Sequence, residues 1–128
     1  MERSIPDEVL HFIKECIDRI ETLEVLLLLQ SEPGRSWTAR EVSDQMRSSQ
    51  LAVQGALDGL HSRGLLEKHD DRFWFHPRRT DLAEKTARLA SCYRERRTAV
   101  ITAIIARPND AVRSFAEAFR FRKGGADG

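Results

Sequence analysis

The chain has 128 residues and a mass of 14.7 kDa, which leaves room for one domain with a helical extension. Hydrophobic residues make up 41% of it and charged residues 32%, a balance that excludes a disordered chain. The aliphatic run at 25–29 is far shorter than the roughly 20 residues of a membrane span, and the N-terminal residues lack the pattern of a secretion signal. We therefore expect a soluble protein of the cytoplasm with no membrane partner.

The net charge is only +1, but it is unevenly distributed. Residues 1–71 carry 8 Lys/Arg against 14 Asp/Glu, whereas residues 72–128 carry 13 against 6. This asymmetry suggests an anionic partner for the second half, or contact between the acidic and basic parts of two copies. The alternative is charge that is simply scattered and solvated.

The first elements are helices. Pro6 opens a pattern in which Val9, Ile13, Cys16 and Ile20 share one helical face. A second helix at about 22–30 is almost wholly aliphatic and is expected at the centre of the core. The sequence leaves open whether the two form one rod or break near residues 18–21. The Pro33-Gly34 turn then ends the second helix.

Capping signals define the next two helices. Thr38 and Glu41 form a capping box, and Trp37 is placed to pack on Val42 as a hydrophobic staple. This predicts a short helix at 39–46, followed by a polar turn and a helix at about 49–63. The latter buries a stripe of apolar residues, and Gly64 ends it in the left-handed conformation. The stripe consists of Val53, Ala56, Leu57 and Leu60.

Two strands and further helices complete the pattern. Residues 65–68 and 72–75 flank a short polar loop, which predicts a β-hairpin that His76-Pro77 closes. A long helix is predicted from residue 80 or 81 to about Ala106. Pro108 ends it, and a last helix carries Val112, Phe115, Ala116 and Phe119. Residues 123–128 are predicted to be a flexible tail.

Residues 38–75 thus combine a short capped helix, a tight turn, a second helix and an aromatic hairpin. This unit resembles the winged helix-turn-helix superfamily of bacterial transcription regulators, including its MarR-like and PadR-like groups. The matching segments are TAREV at 38–42, ALDGL at 56–60, RGLL at 63–66 and RFWF at 72–75. The resemblance implies a mainly α fold with a small β-hairpin. It implies a winged-helix domain at 1–79 and a helical dimerisation or interaction extension at 80–122.

The resemblance also implies binding to double-stranded DNA, with a recognition helix at about 49–63 and a wing at about 65–76. Bases would be probed by Ser49, Gln50 and Gln54, and the backbone held by Thr38, Arg40, Arg47 and Arg72. Two features depart from this pattern. No Lys or Arg lies between Arg47 and Arg63, and the loop tip Asp70-Asp71 is acidic, although phosphate binding needs positive charge.

In the small dimeric regulators of this superfamily, helices that flank the winged core pack against a second copy. This likeness implies a homodimer contact formed by Leu82, Leu89, Tyr93, Val100, Ile104, Val112, Phe115 and Phe119. The alternative is that these helices fold back on their own domain. The arginines Arg94, Arg96 and Arg97 would pair with the acidic first helix of a partner, or form a solvated face.

Catalytic and metal-binding motifs are missing from the sequence. Cys16 and Cys92 form no CxxC pair, the four histidines have no ligand spacing, and no Gly-rich phosphate loop occurs. We therefore expect no enzyme, no metal site and no cofactor. An apolar effector site near Phe12, Trp37 and Tyr93 is one interpretation of those aromatic residues, and core packing is the other.

Two functions remain. The first is a homodimeric, sequence-specific DNA-binding transcriptional regulator. The second is a winged-helix interaction module that docks a transcription-related or other protein without direct DNA binding, which the weakly basic recognition face favours.

Overall fold

The computed structural model describes residues 5–106, a mainly helical fold with a small antiparallel sheet. The coarse prediction of a mainly α protein with a hairpin is confirmed. The elements are α1 (Asp7–Cys16), α2 (Ile20–Ser31), β1 (Trp37–Thr38), α3 (Ala39–Met46), α4 (Gln50–Ser62), β2 (Leu66–His69), β3 (Arg72–Phe75), α5 (Thr80–Glu95) and α6 (Arg97–Ala106). The predicted helix with Val112, Phe115 and Phe119 and the predicted tail lie outside the described residues.

Helix α2 occupies the centre of the described core. It buries residues around most of its circumference and contacts α4, β3, α5 and α6. The helical geometry is interrupted between α1 and α2, where the Asp18 carboxylate accepts a hydrogen bond of 2.7 Å from the Thr22 hydroxyl. The break settles the question that the sequence left open, and it allows Ile17 to be buried at the junction.

Side-chain caps fix where α3 and α4 begin. The Thr38 hydroxyl accepts from the Glu41 backbone N–H, and the Glu41 carboxylate accepts from the Thr38 backbone N–H, both at 3.1 Å. Arg47 ends α3 with a left-handed φ of 58°, and the Ser49 hydroxyl caps α4 by accepting from the Ala52 N–H at 3.0 Å. The predicted capping box and the short polar turn are therefore confirmed.

The sheet contains one strand more than the sequence predicts. Strands β2 and β3 form the predicted hairpin, with Leu66 opposite Phe75, and β1 pairs with the other edge of β3, with Trp37 opposite Phe73. The strand order is β1-β3-β2. A strand of two residues is too short to show alternation, so sequence analysis assigned Trp37 and Thr38 only to the helix start that follows.

The prediction of one continuous helix from residue 80 to 106 is wrong. The chain leaves helical geometry at Arg96, with φ −134° and ψ 55°, and α6 then contacts α1, α2 and α5. The segment around this bend holds no Gly or Pro. The physical reason for the bend is burial, because it brings the apolar Val100 and Ile104 into the core.

This packing corrects the predicted dimer contact. Leu82, Leu89, Val100 and Ile104 are at most 7% exposed and belong to the core of their own chain, and Tyr93 packs half-buried against that core. These residues were expected to meet a second copy because they form an amphipathic stripe. For these residues the stripe is instead covered by α1 and α2 of the same chain.

Of the two interpretations of the aromatic residues, core packing is the one that holds for Phe12 and Trp37. Phe12 and Trp37 are each 1% exposed and lie inside the core cluster rather than along a groove. A shallow groove does occur between α1 and α5, lined by Pro6, Val9, Ala87, Arg88, Ser91 and Cys92.

Candidate nucleic-acid interface

Helix α4 separates a buried side from an exposed side as its periodicity predicts. Val53, Ala56, Leu57 and Leu60 are buried against α2, α3 and β2. The opposite side carries Gln50, Leu51, Gly55, Asp58 and Ser62, all exposed. We call these five residues the outward face of α4.

Two of the three predicted base-probing residues have hydrogen bonds within the helix. The Ser49 hydroxyl accepts from the Ala52 N–H at 3.0 Å, which leaves its O–H free to donate. The Gln54 amide donates one N–H to the Asp58 carboxylate at 3.1 Å, which leaves its carbonyl oxygen and its second N–H free. Gln50 makes no hydrogen bond to the described part of the chain, so both of its polar atoms can reach an adenine edge.

Arg72 connects the sheet to the start of α3. Its Nη1 donates to the Ser36 carbonyl at 3.2 Å and lies 3.5 Å from the Glu41 carboxylate. The pKa of Glu41 lies below its ordinary value, chiefly because its carboxylate accepts from the Thr38 backbone N–H, with a smaller contribution from Arg72. The predicted backbone contact at Arg72 is thus partly neutralised by a carboxylate of its own chain.

Arg40 and Arg47 lie on α3 and in the turn that follows it, and no described carboxylate neutralises them. Both are exposed, and no carboxylate of residues 5–106 is within ion-pair distance of either guanidinium. Arg40 is in the first turn of α3, and Arg47 occupies the turn between α3 and α4. Thr38, the last residue of β1, keeps its O–H as a donor after its oxygen caps α3. These are the groups best placed to hold an anion next to α4.

The tip of the hairpin has the opposite charge. Asp70, with a φ of 55°, and Asp71 are exposed, and His69 lies 3.6 Å from the Asp70 carboxylate. The nearest lysine, Lys68, is over the ring of Phe73 at 5.3 Å from its centroid. Electrostatic attraction to a polyanion is therefore concentrated around the α3–α4 turn and not at the hairpin tip.

Sequence analysis missed two arginines beside α4. The Arg19 guanidinium, from the α1–α2 junction, has Nη2 3.8 Å from the point where a Cβ on Gly55 would lie. Arg63 lies along the backbone of Gly59, donating to its carbonyl at 3.0 Å and to the Glu15 carbonyl at 3.1 Å. Only the spacing of Gly55 and Gly59 by one helical turn hinted that neighbouring side chains could approach this helix closely.

The arginine cluster that was predicted to pair with the first helix of a partner, or to form a solvated face, has neighbours within its own chain. Arg94 donates to the Ser91 hydroxyl, Arg96 lies 3.7 Å from the Glu95 carboxylate, and Arg97 lies over the Tyr93 ring. The acidic first helix also has an internal partner, since the Glu8 carboxylate lies 3.0 Å from the Arg88 guanidinium. For Glu8, the expected pairing of acidic and basic segments therefore occurs within one chain.

Chemistry other than surface recognition has few candidates in residues 5–106. In this range no cluster of three or more His, Cys, Asp or Glu side chains could hold a metal ion. No helix in it has both the length and the apolar character needed to cross a bilayer. No protein-family model, curated protein or solved structure matches the chain.

Proposed function

We propose that the chain is a winged helix-turn-helix regulator that binds double-stranded DNA through the outward face of α4. The order of elements supports this, since α3 and α4 form a two-helix unit with a tight turn and are followed directly by the hairpin β2–β3. The observation that carries the proposal is the position of Arg40 and Arg47. Both are exposed cations, one in the first turn of α3 and one in the turn before α4, and neither is paired with a carboxylate of residues 5–106.

The residues divide into two roles. Arg40, Arg47 and the Thr38 hydroxyl hold the phosphate backbone, and Arg72 joins them when its bond to Glu41 loosens. Gln50 reads adenine edges and the Ser49 O–H reaches a base or a phosphate, while Leu51 contacts the methyl group of thymine. Gln54 contributes through its free carbonyl oxygen.

The regulator acts as a cytoplasmic homodimer, because the contacts of one copy are few and a dimer doubles them across two half-sites. Its interface does not use the four residues that are buried in the core of their own chain. The remaining candidates are Ile105, which is 70% exposed at the end of α6, and the predicted helix that carries Val112, Phe115 and Phe119.

A salt titration of duplex binding tests the proposal. Fluorescence anisotropy of a labelled duplex is measured between low and physiological salt, and each phosphate contact contributes a slope of about −0.9 in log K against log salt. We expect salt-dependent binding in the wild type, and a slope shallower by about 1.8 in the Arg40→Ala/Arg47→Ala variant. The matched control Arg94→Ala/Arg97→Ala removes the same charge away from α4 and keeps the wild-type slope. Absence of duplex binding at the lowest salt would refute the proposal.

One observation favours a second function, the docking of a protein partner. Leu51 is 86% exposed at the start of the outward face, next to Gly55 one turn later. An isolated exposed leucine on a face with little positive charge fits an apolar pocket of a partner as well as a thymine methyl. The two functions differ in the effect of Leu51→Gln. This change leaves non-specific duplex affinity intact under the first, whereas it abolishes binding of the partner under the second.

A further inference from the structure

Helix α4 lacks a cation on its outward face, although DNA recognition needs positive charge there. The helix contains no Lys or Arg, and the face carries the negative charge of Asp58. Arg47 lies in the turn before its N-terminal end, and Arg40 lies in the first turn of α3. A duplex that lies along the whole face therefore meets cations at one end only, unless another element supplies them.

The α1–α2 junction supplies such a cation, Arg19. We propose that Arg19 contacts a phosphate of the bound duplex beside the middle of α4, so that the recognition surface includes a residue from outside the helix-turn-helix unit. This inference rests on the proposed function. It starts from the position of the guanidinium, with Nη2 3.8 Å from the Cβ position of Gly55.

Gly55 marks where on α4 the guanidinium lies. It is exposed and lies one turn after Leu51, so it belongs to the middle of the outward face. The Arg19 guanidinium is in van der Waals range of the Gly55 Cβ position, which places it beside this part of the face. A glycine in a helix interior is otherwise unfavourable, and its left-handed freedom is not used here, because its φ is not positive.

The charge of Arg19 is available to an anion. No carboxylate of residues 5–106 lies within ion-pair distance of its guanidinium, and the side chain is exposed. Its neighbour Asp18 accepts a hydrogen bond from the Thr22 hydroxyl at 2.7 Å. Arg19 is also the N-cap residue of α2 and makes no capping hydrogen bond with its side chain, so its side chain has no evident structural task.

Arg63 holds the junction in place. Its guanidinium donates to the Glu15 carbonyl in the last turn of α1 and to the Gly59 carbonyl in α4, and so ties the two helices together. These bonds occupy Nε and Nη1. Arg63 is thus a positioning residue for the segment that carries Arg19, and we do not assign it a phosphate.

Arg47 and Arg19 lie at different levels along α4. Arg47 precedes the first turn of the helix, and Arg19 lies beside Gly55, about 7.5 Å along the helix from Gln50. A row of cations along one strand would set the direction in which α4 lies in the groove.

The test uses the full chain with Arg19→Ala, Arg19→Lys and, as control, Arg94→Ala. Binding is measured by anisotropy over a salt series, with a duplex selected by the wild type from a random library and with an unselected duplex. We expect Arg19→Ala to make the salt slope shallower by about 0.9 on both duplexes. Arg19→Lys restores the slope, and Arg94→Ala leaves it unchanged. Circular dichroism melting checks that each variant is folded.

A neutral methylphosphonate, scanned along the selected duplex, identifies the contact. One position should weaken binding of the wild type and leave binding of Arg19→Ala unaffected. One outcome is that the wild type binds with a salt slope that Arg40→Ala/Arg47→Ala makes shallower and Arg19→Ala leaves unchanged. In that case the inference about Arg19 is wrong and the proposed function stands. If the wild type binds no duplex at any salt, both are wrong.

Discussion

Replacing Glu41 by glutamine should strengthen DNA binding without weakening the fold. The glutamine carbonyl oxygen can still accept the hydrogen bond of 3.1 Å from the Thr38 backbone N–H, so the capping box is kept. The variant loses the negative charge that lies 3.5 Å from the Arg72 guanidinium. Arg72, now without a carboxylate partner, is free to neutralise one phosphate.

The size of the effect follows from this one added contact. One further phosphate contact steepens the slope of log K against log salt by about 0.9, so lowering the salt fourfold should raise affinity about 3.5-fold more in the variant than in the wild type. Fluorescence anisotropy at 50 and 200 mM salt measures this difference, and thermal unfolding followed by circular dichroism checks the fold.

A matched control separates local release of Arg72 from a general change in net charge. Glu8→Gln also removes one carboxylate from an ion pair between two elements, with the Arg88 guanidinium at 3.0 Å, but that pair joins α1 to α5. We expect its slope to equal that of the wild type. An equal gain in both variants would refute the reasoning, because the effect would then come from net charge alone.

Three further predictions concern the fold. Leu57→Ala should lower the free energy of unfolding in urea by about 2–5 kcal/mol, since Leu57 is fully buried, whereas Leu51→Ala should change it by less than about 0.5 kcal/mol. Gly64→Ala should lower the free energy of unfolding by roughly 1–2 kcal/mol in the same assay, because the φ of Gly64 is +83°. An unchanged free energy of unfolding would show that the left-handed conformation is not needed. The two hydrogen bonds from Arg79, at 2.8 and 3.0 Å, hold the pKa of Asp81 at about 2, below its ordinary 3.8. The pKa of Asp81 is lower in the folded state than in the unfolded state. The ion pair therefore stabilises the fold above pH 3.8, and this stabilisation is lost as the pH falls toward 2. Side-chain NMR titration should give this midpoint, and Arg79→Ala should return it to near 3.8.

The local structure of residues 38–75 could be predicted from neighbouring residues alone. The capping box of Thr38 and Glu41, the helix with buried Val53 and Leu57, and the left-handed Gly64 occur where their patterns predict. These features depend on hydrogen bonds and apolar spacing within about one or two helical turns, so the information lies in adjacent residues. For the same reason the sequence separated the outward face of α4 from its buried side.

The surface against which each apolar stripe packs depends on contacts between distant segments. Amphipathic spacing marks a face as buried but does not name the surface that covers it, so the stripe of Leu89 and Val100 could meet a second copy or its own chain. The bend at Arg96 lies in a segment without a helix breaker and follows from burial of α6 against α1 and α2.

The charges around α4 were likewise decided by long-range contacts. Arg72 pairs with Glu41 because β1 and β3 are neighbours, and Arg19 reaches Gly55 because the α1–α2 junction packs beside α4. The sequence determined how many cations the chain has. Folding determined which of them lie beside α4 and which are neutralised, because ion pairing depends on distances that only the packed chain sets.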